Sequence, residues 1–184
     1  MKAYLIRSLY DDGGDTVFRS VGVAGECRSM LTRWYLFHSM GRNDTREAFG
    51  KVHFEWRDLS SKPIADFPSC TVPDGVWSVK AVEVLGDFLR ANGDLHPLMF
   101  EDDSDKYMLY DCWSKFSAQP NEGFSSFVPT SLKSIAIGRG IVLPDIFSAS
   151  IEIGLMVSER FKEAAEAAGL TGMVFTEVEV IRND

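Results

Sequence analysis

One structural unit is written twice in this chain, and this repeat limits what the chain can fold into. In each copy an apolar stretch leads into a serine, a charged amphipathic segment follows, and a glycine precedes a second apolar stretch. The first copy surrounds Ser78 and the second surrounds Ser158. Strand, helix and strand units of this kind bury their apolar faces by stacking into layers. The repeat therefore predicts helices packed on a sheet.

The segment after Ser78 has the period of an amphipathic helix. Ser78 is a favourable N-cap because its hydroxyl oxygen can accept a hydrogen bond from a backbone amide of the first turn. Asn92-Gly93 ends the pattern, and the chain returns as strands over 95–100 and 106–113. The apolar stripe of this helix consists of Val82, Leu85, Phe88 and Leu89.

The second copy repeats this arrangement with a shorter helix. Ser158 is its predicted N-cap, Gly169 ends it, and residues 173–181 alternate as a final strand. The charged residues of this helix lie on the face opposite its apolar stripe and are expected to face water. The residues predicted to face inward are Phe161, Ala164, Ala165 and Ala168.

The N-terminal portion is rich in predicted strands. Residues 2–10 and 16–23 read as two strands joined by a turn of aspartates and glycines, which predicts an opening hairpin. Residues 51–57 alternate so that Phe54 and Trp56 lie on a buried face and His53 on a polar one. Residues 27–40 fit a helix and a buried strand equally well.

These elements together predict an α+β fold of mostly antiparallel strands with two principal helices. We expect a single domain over 1–184, with a β-rich portion over 1–60 and the duplicated portion over 75–184. A chain of this length can bury one sizeable core. A loop-rich crossing that contains Pro63, Pro68 and Pro73 separates the two portions.

Composition excludes some classes of partner. The net charge of −8 disfavours nucleic acid, because phosphate contacts depend on clustered lysine and arginine. No uncharged apolar run has membrane-spanning length. The apolar stretch near the N-terminus is too short and too charged to be the core of a signal peptide. Three widely spaced cysteines, Cys27, Cys70 and Cys112, suit a reducing compartment. We therefore expect a cytoplasmic protein that binds neither nucleic acid nor membranes.

The sequence contains no motif that specifies a reaction. The three histidines stand in separate elements, and the two capping serines lack a nucleophile elbow. We therefore predict no catalytic residues, no metal site and no cofactor. One alternative is a small enzyme with a site dispersed over His53, Asp66 and Asp111, and another is an adaptor module.

Two connections are candidates for binding a partner. An acidic turn contains Asp102, Asp103 and Asp105, and an aromatic loop contains Phe124 and Phe127. The alternatives are a solvated turn and phenylalanines that pack on the domain, since soluble proteins rarely expose large apolar patches.

Three segments resemble a bacterial immunity-protein family from polymorphic toxin systems. They are KPIADFPSCTVPDGVWSVKAVEVL, the strand pair around DKYMLYDC, and PDIFSASIEIGLMVSERFKEAAEAAGLTGMVF. The last contains a terminal phrase that is typical of the family, from Val157 through the GLTG turn at 169–172 to Phe175. The resemblance leaves residues 1–60 without a counterpart.

The resemblance implies a cytoplasmic antidote that binds a cognate toxin, blocks it by steric occlusion and performs no catalysis. It transfers no catalytic residues, and the residues of the phrase are expected to determine the fold. Combined with the acidic turn and the aromatic loop, it predicts an interface for a basic toxin, with an acidic rim around an aromatic anchor.

Overall fold

The computed structural model describes residues 1–9, 15–23, 53–57, 62–70, 75–100, 106–123, 131–149 and 153–183. Its helices are α1 (Val79–Arg90) and α2 (Glu159–Ala167). Its strands are β1 (Lys2–Ser8), β2 (Ser20–Val23), β3 (His53–Trp56), β4 (Ser69–Cys70), β5 (Val76–Ser78), β6 (Gly93–Pro97), β7 (Met99–Phe100), β8 (Tyr107–Cys112), β9 (Gln119–Pro120), β10 (Ser134–Gly138), β11 (Ile146–Ser148), β12 (Leu155–Val157) and β13 (Met173–Asn183).

The strands form three sheets, and the fold is α+β as predicted. The largest sheet has the order β11-β12-β1-β13-β10-β9, the second β4-β2-β3-β7 and the third β5-β8-β6. Most neighbouring strands run antiparallel, while β10 with β13, β2 with β4 and β3 with β7 are parallel pairs. Within the described ranges neither helix has the length and apolar run needed to cross a bilayer.

The two copies of the repeat fold with the same topology. β5 and β6 both run antiparallel to β8, which lies between them, so they are parallel to each other and α1 connects them. β12 and β13 are likewise antiparallel to β1 between them, and α2 connects them. Each copy is therefore a strand, helix and strand unit split by one inserted strand. The inserted strand of the first unit, β8, follows that unit in sequence. The inserted strand of the second unit, β1, precedes that unit in sequence.

Both helices begin at the predicted serines. The Ser78 hydroxyl accepts the Ala81 amide at 3.0 Å, and the Ser158 hydroxyl accepts the Phe161 amide at 3.2 Å. The apolar stripe of α1 is buried at Val82, Leu85 and Leu89, with Phe88 partly buried. In α2 the buried residues are Phe161 and Ala165.

One apolar core joins the two units. The Trp77 ring from β5 lies 6.0 Å from the Phe161 ring of α2 and 4.7 Å from the Phe67 ring, measured between centroids. Tyr4 and Ile6 from β1 belong to the same core. The opposite face of the six-stranded sheet covers a second core that includes Leu5. A third core, which includes Phe54 and Leu109, joins the three-stranded and four-stranded sheets.

Two expectations about strands need correction. β1 and β2 both form, but β1 pairs with β12 and β13 while β2 pairs with β3 and β4, so the opening hairpin is wrong. The strand predicted over 95–100 divides into β6 and β7, which join different sheets. The burial of Phe54 is confirmed. The undecided segment 27–40 lies outside the described residues.

Candidate functional site

The five residues predicted to bind a toxin lie in two connections outside the described residues. Asp102, Asp103 and Asp105 fall between β7 and β8, and Phe124 and Phe127 fall between β9 and β10. Their role in an interface stays a prediction.

The ends of both connections are well fixed. After the acidic turn, the Tyr107 hydroxyl donates to the Ala65 carbonyl oxygen at 2.9 Å, and its ring lies 5.4 Å from the Trp56 ring. Asn121 precedes the aromatic loop, and its side-chain Nδ2 donates to the carbonyl oxygen of Ser131 at 3.2 Å. The Asn121 side-chain oxygen accepts the Lys133 amide at 2.8 Å. These hydrogen bonds hold the start of β8 after the acidic turn and join the two sides of the aromatic loop.

Each helix start carries an aspartate as well as a serine. The Ser78 hydroxyl donates to Asp66 Oδ1 at 2.8 Å, and the Ser78 amide donates to the Asp66 carbonyl oxygen at 2.8 Å. Lys80 Nζ lies 3.5 Å from Asp66 Oδ2. The aspartate therefore holds the capping serine by both its backbone and its side chain. We call this arrangement the Asp–Ser cap.

The second unit repeats the Asp–Ser cap with the same atoms. The Ser158 hydroxyl donates to Asp145 Oδ1 at 2.5 Å, and the Ser158 amide donates to the Asp145 carbonyl oxygen at 2.9 Å. Arg160 Nη1 lies 3.5 Å from Asp145 Oδ2 and takes the place of Lys80. This atomic correspondence supports the duplication that the serines suggested.

The structural role of the two cap aspartates was not predicted from the sequence. Asp66 was considered only as part of a dispersed catalytic site, and Asp145 had no predicted role. A signal was present, because an aspartate followed by an apolar residue precedes each serine at a similar distance, and a basic residue stands two positions after each serine. Only the folded chain shows that the spacing brings these side chains together.

Asp66 also binds the turn that follows α2. The Thr171 amide donates to Asp66 Oδ2 at 2.9 Å, and the Thr171 hydroxyl donates to the same oxygen at 3.0 Å. The Phe67 amide donates to the Thr171 carbonyl oxygen at 3.0 Å. Burial raises the pKa of Asp66, but the hydrogen bonds from Thr171 and Ser78 and the charge of Lys80 outweigh it and leave that pKa below its ordinary value. Asp66 is therefore an ionised link between the two units.

A second polar cluster lies on the three-stranded sheet. Asp94 and His96 on β6 and Asp111 on β8 each offer a ligand atom, and the three atoms lie within 4.8 Å of one another. Asp111 is fully buried, whereas Asp94 and His96 are partly exposed. The sequence does not indicate this cluster, because only the pairing of β6 with β8 brings these residues together.

The residues of the alternative enzyme site fall into different surroundings. Asp66 belongs to the first Asp–Ser cap, and Asp111 belongs to the cluster with Asp94 and His96. His53 lies at the start of β3.

No known protein-family profile matches this chain, and the search of curated proteins found no match either. The structure therefore defines an α+β protein built from two split units.

Proposed function

We propose that this protein is an immunity protein that binds a cognate bacterial toxin and neutralises it by steric occlusion. The observation that supports this function is the structural role of the family-like terminal phrase. Val157, Ser158 and Phe161 are respectively a buried strand residue, the N-cap of α2 and its fully buried aromatic. The phrase therefore specifies a scaffold, as its capping serine and apolar spacing predicted.

Gly172 of the terminal phrase allows two backbone segments to come close together. Gly172 has φ of +87°, and a Cβ at this position would lie 2.4 Å from the Phe67 carbonyl oxygen. Only glycine fits so close to that carbonyl without a shift of the backbone. Gly172 and Thr171 thus fasten the end of the phrase to the Asp66 segment of the first unit. This long-range contact connects two of the segments that carry the resemblance.

The charge of the protein suits a basic partner. The net charge is −8, and the exposed faces of the helices include Glu83, Asp87 and Glu163. Complementary charge raises association rates and favours one partner over others. In this proposal the acidic turn at Asp102, Asp103 and Asp105 meets the basic cleft of the toxin, with Phe124 and Phe127 as apolar anchors.

Co-expression tests the proposed function. The full chain is produced together with the toxin encoded by the neighbouring gene, and survival of the host and co-purification of the two proteins are measured. We expect rescue and a stable complex whose dissociation constant rises with salt, since screening weakens charge complementarity. Failure of the chain to rescue the host or to bind this toxin would contradict the proposal.

A matched pair of triple variants tests the predicted interface. Asp102→Ala, Asp103→Ala and Asp105→Ala together remove three carboxylates from the acidic turn. Glu83→Ala, Asp87→Ala and Glu163→Ala remove the same charge from exposed helical positions. We expect only the first variant to lose more than about tenfold in affinity, because desolvated charges at an interface matter more than distant ones. Equal losses in both would indicate long-range steering without contact at the turn.

The aromatic loop is tested separately. Phe124→Ala and Phe127→Ala are each expected to weaken binding by about 2 kcal/mol, the usual cost of removing an interface anchor. Trp113, which is 50% exposed just after β8, provides a comparison. It lies about 20 Å along the chain from Tyr107, the first residue of β8. A loss in Trp113→Ala without a loss at the loop would move the interface to that end of β8.

A small enzyme is the second candidate, and the cluster around Asp111 is the observation that favours it. Ionisable groups that converge beside a buried carboxylate are typical of catalytic sites. Turnover of a small substrate by the purified chain, abolished by Asp94→Asn without unfolding, would favour the enzyme over the antidote.

A further inference from the structure

Two adjacent strands place three possible metal ligands on one face of the three-stranded sheet. β6 and β8 run antiparallel, with Asp94 directly opposite Asp111. His96 stands two residues after Asp94, so both side chains leave the same face of β6. One ligand atom from each residue lies within 4.8 Å of the other two. The β-sheet register itself therefore holds the three groups together.

We propose that Asp94, His96 and Asp111 bind a divalent transition-metal ion, with Zn²⁺ as the preferred cation. Carboxylate oxygens and imidazole nitrogens bind Zn²⁺ at about 2.0–2.2 Å, which places neighbouring ligand atoms roughly 3–4 Å apart. Small side-chain rotations bring a cluster of this size to that geometry. The imidazole favours a transition metal over Mg²⁺ or Ca²⁺, which prefer oxygen ligands alone.

The surroundings of the cluster favour a bound cation. The same face of β8 carries Tyr107 and Leu109, which are buried in the core between the two smaller sheets. Fully buried Asp111 forms the inner side of the site, while Asp94 and His96 are partly exposed on β6, one of the two edge strands of this sheet. A cation can thus approach from the β6 side and meet the Asp111 carboxylate. The attraction between the cation and this carboxylate is strong because the buried surroundings have a low dielectric.

The charges of the cluster also favour a bound metal cation. Two carboxylates directly opposite each other on an antiparallel pair repel when both are ionised. A divalent cation between them offsets this repulsion and ties the edge strand β6 to the central strand β8. Three protein ligands leave a fourth tetrahedral position for water. The proposed site is independent of toxin binding, and either proposal can fail without the other.

Calorimetry on the full chain tests the site. The protein is freed of metal with a chelator and titrated with Zn²⁺ and, separately, with Mg²⁺. We expect one Zn²⁺ per chain to bind at this site, more tightly than Mg²⁺ does. Asp94→Asn and His96→Gln should each weaken Zn²⁺ binding by at least about tenfold, since each removes one of three ligands. Asp87→Asn, on the exposed face of α1, is the matched control and should bind as the wild type does.

A thermal-unfolding assay provides a second readout that does not depend on any activity. Zn²⁺ should raise the melting temperature of the wild type and of Asp87→Asn, because a ligand that binds only the folded state stabilises it. The rise should be lost in Asp94→Asn and His96→Gln, whose folding is checked by near-UV circular dichroism. Absence of Zn²⁺ binding, or Zn²⁺ binding that both folded variants retain, would overturn the proposal. Tighter binding of Mg²⁺ would overturn its assignment to a transition metal.

Discussion

Asp66 and Thr171 exchange three hydrogen bonds across 105 positions of sequence. The Asp66 amide donates to the Thr171 hydroxyl at 3.1 Å, and the Thr171 amide and hydroxyl both donate to Asp66 Oδ2. The same carboxylate accepts the hydroxyl that caps α1. One aspartate therefore fixes the start of the first helix and the turn after the second.

Replacing Asp66 should destabilise the protein. Asp66→Asn keeps the shape of the side chain but removes the charge and places an NH₂ group where an oxygen now accepts hydrogen bonds. We expect the free energy of unfolding to fall by about 1–3 kcal/mol, because hydrogen bonds that Ser78 and Thr171 donate to a charged carboxylate are lost or weakened. Urea unfolding measures this change. The control, Asp87→Asn, should stay within about 0.5 kcal/mol of the wild type.

The stability that Asp66 provides should depend on pH. Its pKa is lower in the folded protein than its ordinary value of 3.8, so the folded state favours the ionised carboxylate. This contribution is fully present above 3.8 and is lost as the pH falls through the lowered folded-state pKa. The difference in unfolding free energy between wild type and Asp66→Asn should therefore shrink as acid is added below 3.8. A difference that stays constant into this range would argue against an ionised link.

Gly172 should be far less tolerant of alanine than Gly140. Both residues have positive φ, +87° at Gly172 and +80° at Gly140, so both variants carry similar backbone strain of about 1–2 kcal/mol. A Cβ at Gly172 would also clash with the Phe67 carbonyl, whereas nothing lies within 4 Å at Gly140. We expect Gly172→Ala to cost about 1–3 kcal/mol more than Gly140→Ala in urea unfolding. Equal costs would show that this close approach does not limit stability.

The two Asp–Ser caps should respond alike to loss of the serine but unequally to loss of the aspartate. Ser78→Ala and Ser158→Ala are each expected to cost about 0.5–2 kcal/mol, because each removes the acceptor for a first-turn amide. Asp66→Ala should cost more than Asp145→Ala, because Asp66 also holds Thr171.

Double-mutant cycles within each cap measure whether serine and aspartate act together. Coupling above about 0.5 kcal/mol is expected for residues that share a hydrogen bond. The serine and aspartate variants are made singly and together, and each is compared by urea unfolding. Additive costs within a cap would contradict the cooperation that its geometry indicates.

The sequence by itself determined the local elements of this protein. Ser78, Ser158 and the apolar stripes specify α1 and α2 because capping and helical periodicity involve residues a few positions apart. The alternation around Phe54 similarly specifies the burial of that residue in β3. The duplication and the α+β class followed from these local signals.

The tertiary structure decided which distant segments meet. β1 looks like half of a hairpin in sequence, yet it lies between β12 and β13 because there its apolar residues are buried on both faces of the six-stranded sheet. Asp66 meets Thr171, and Asp94 meets Asp111, only through strand pairing and helix packing. Local propensity cannot specify such contacts, because their free energy depends on burial and hydrogen bonding that arise only once remote parts of the chain are assembled.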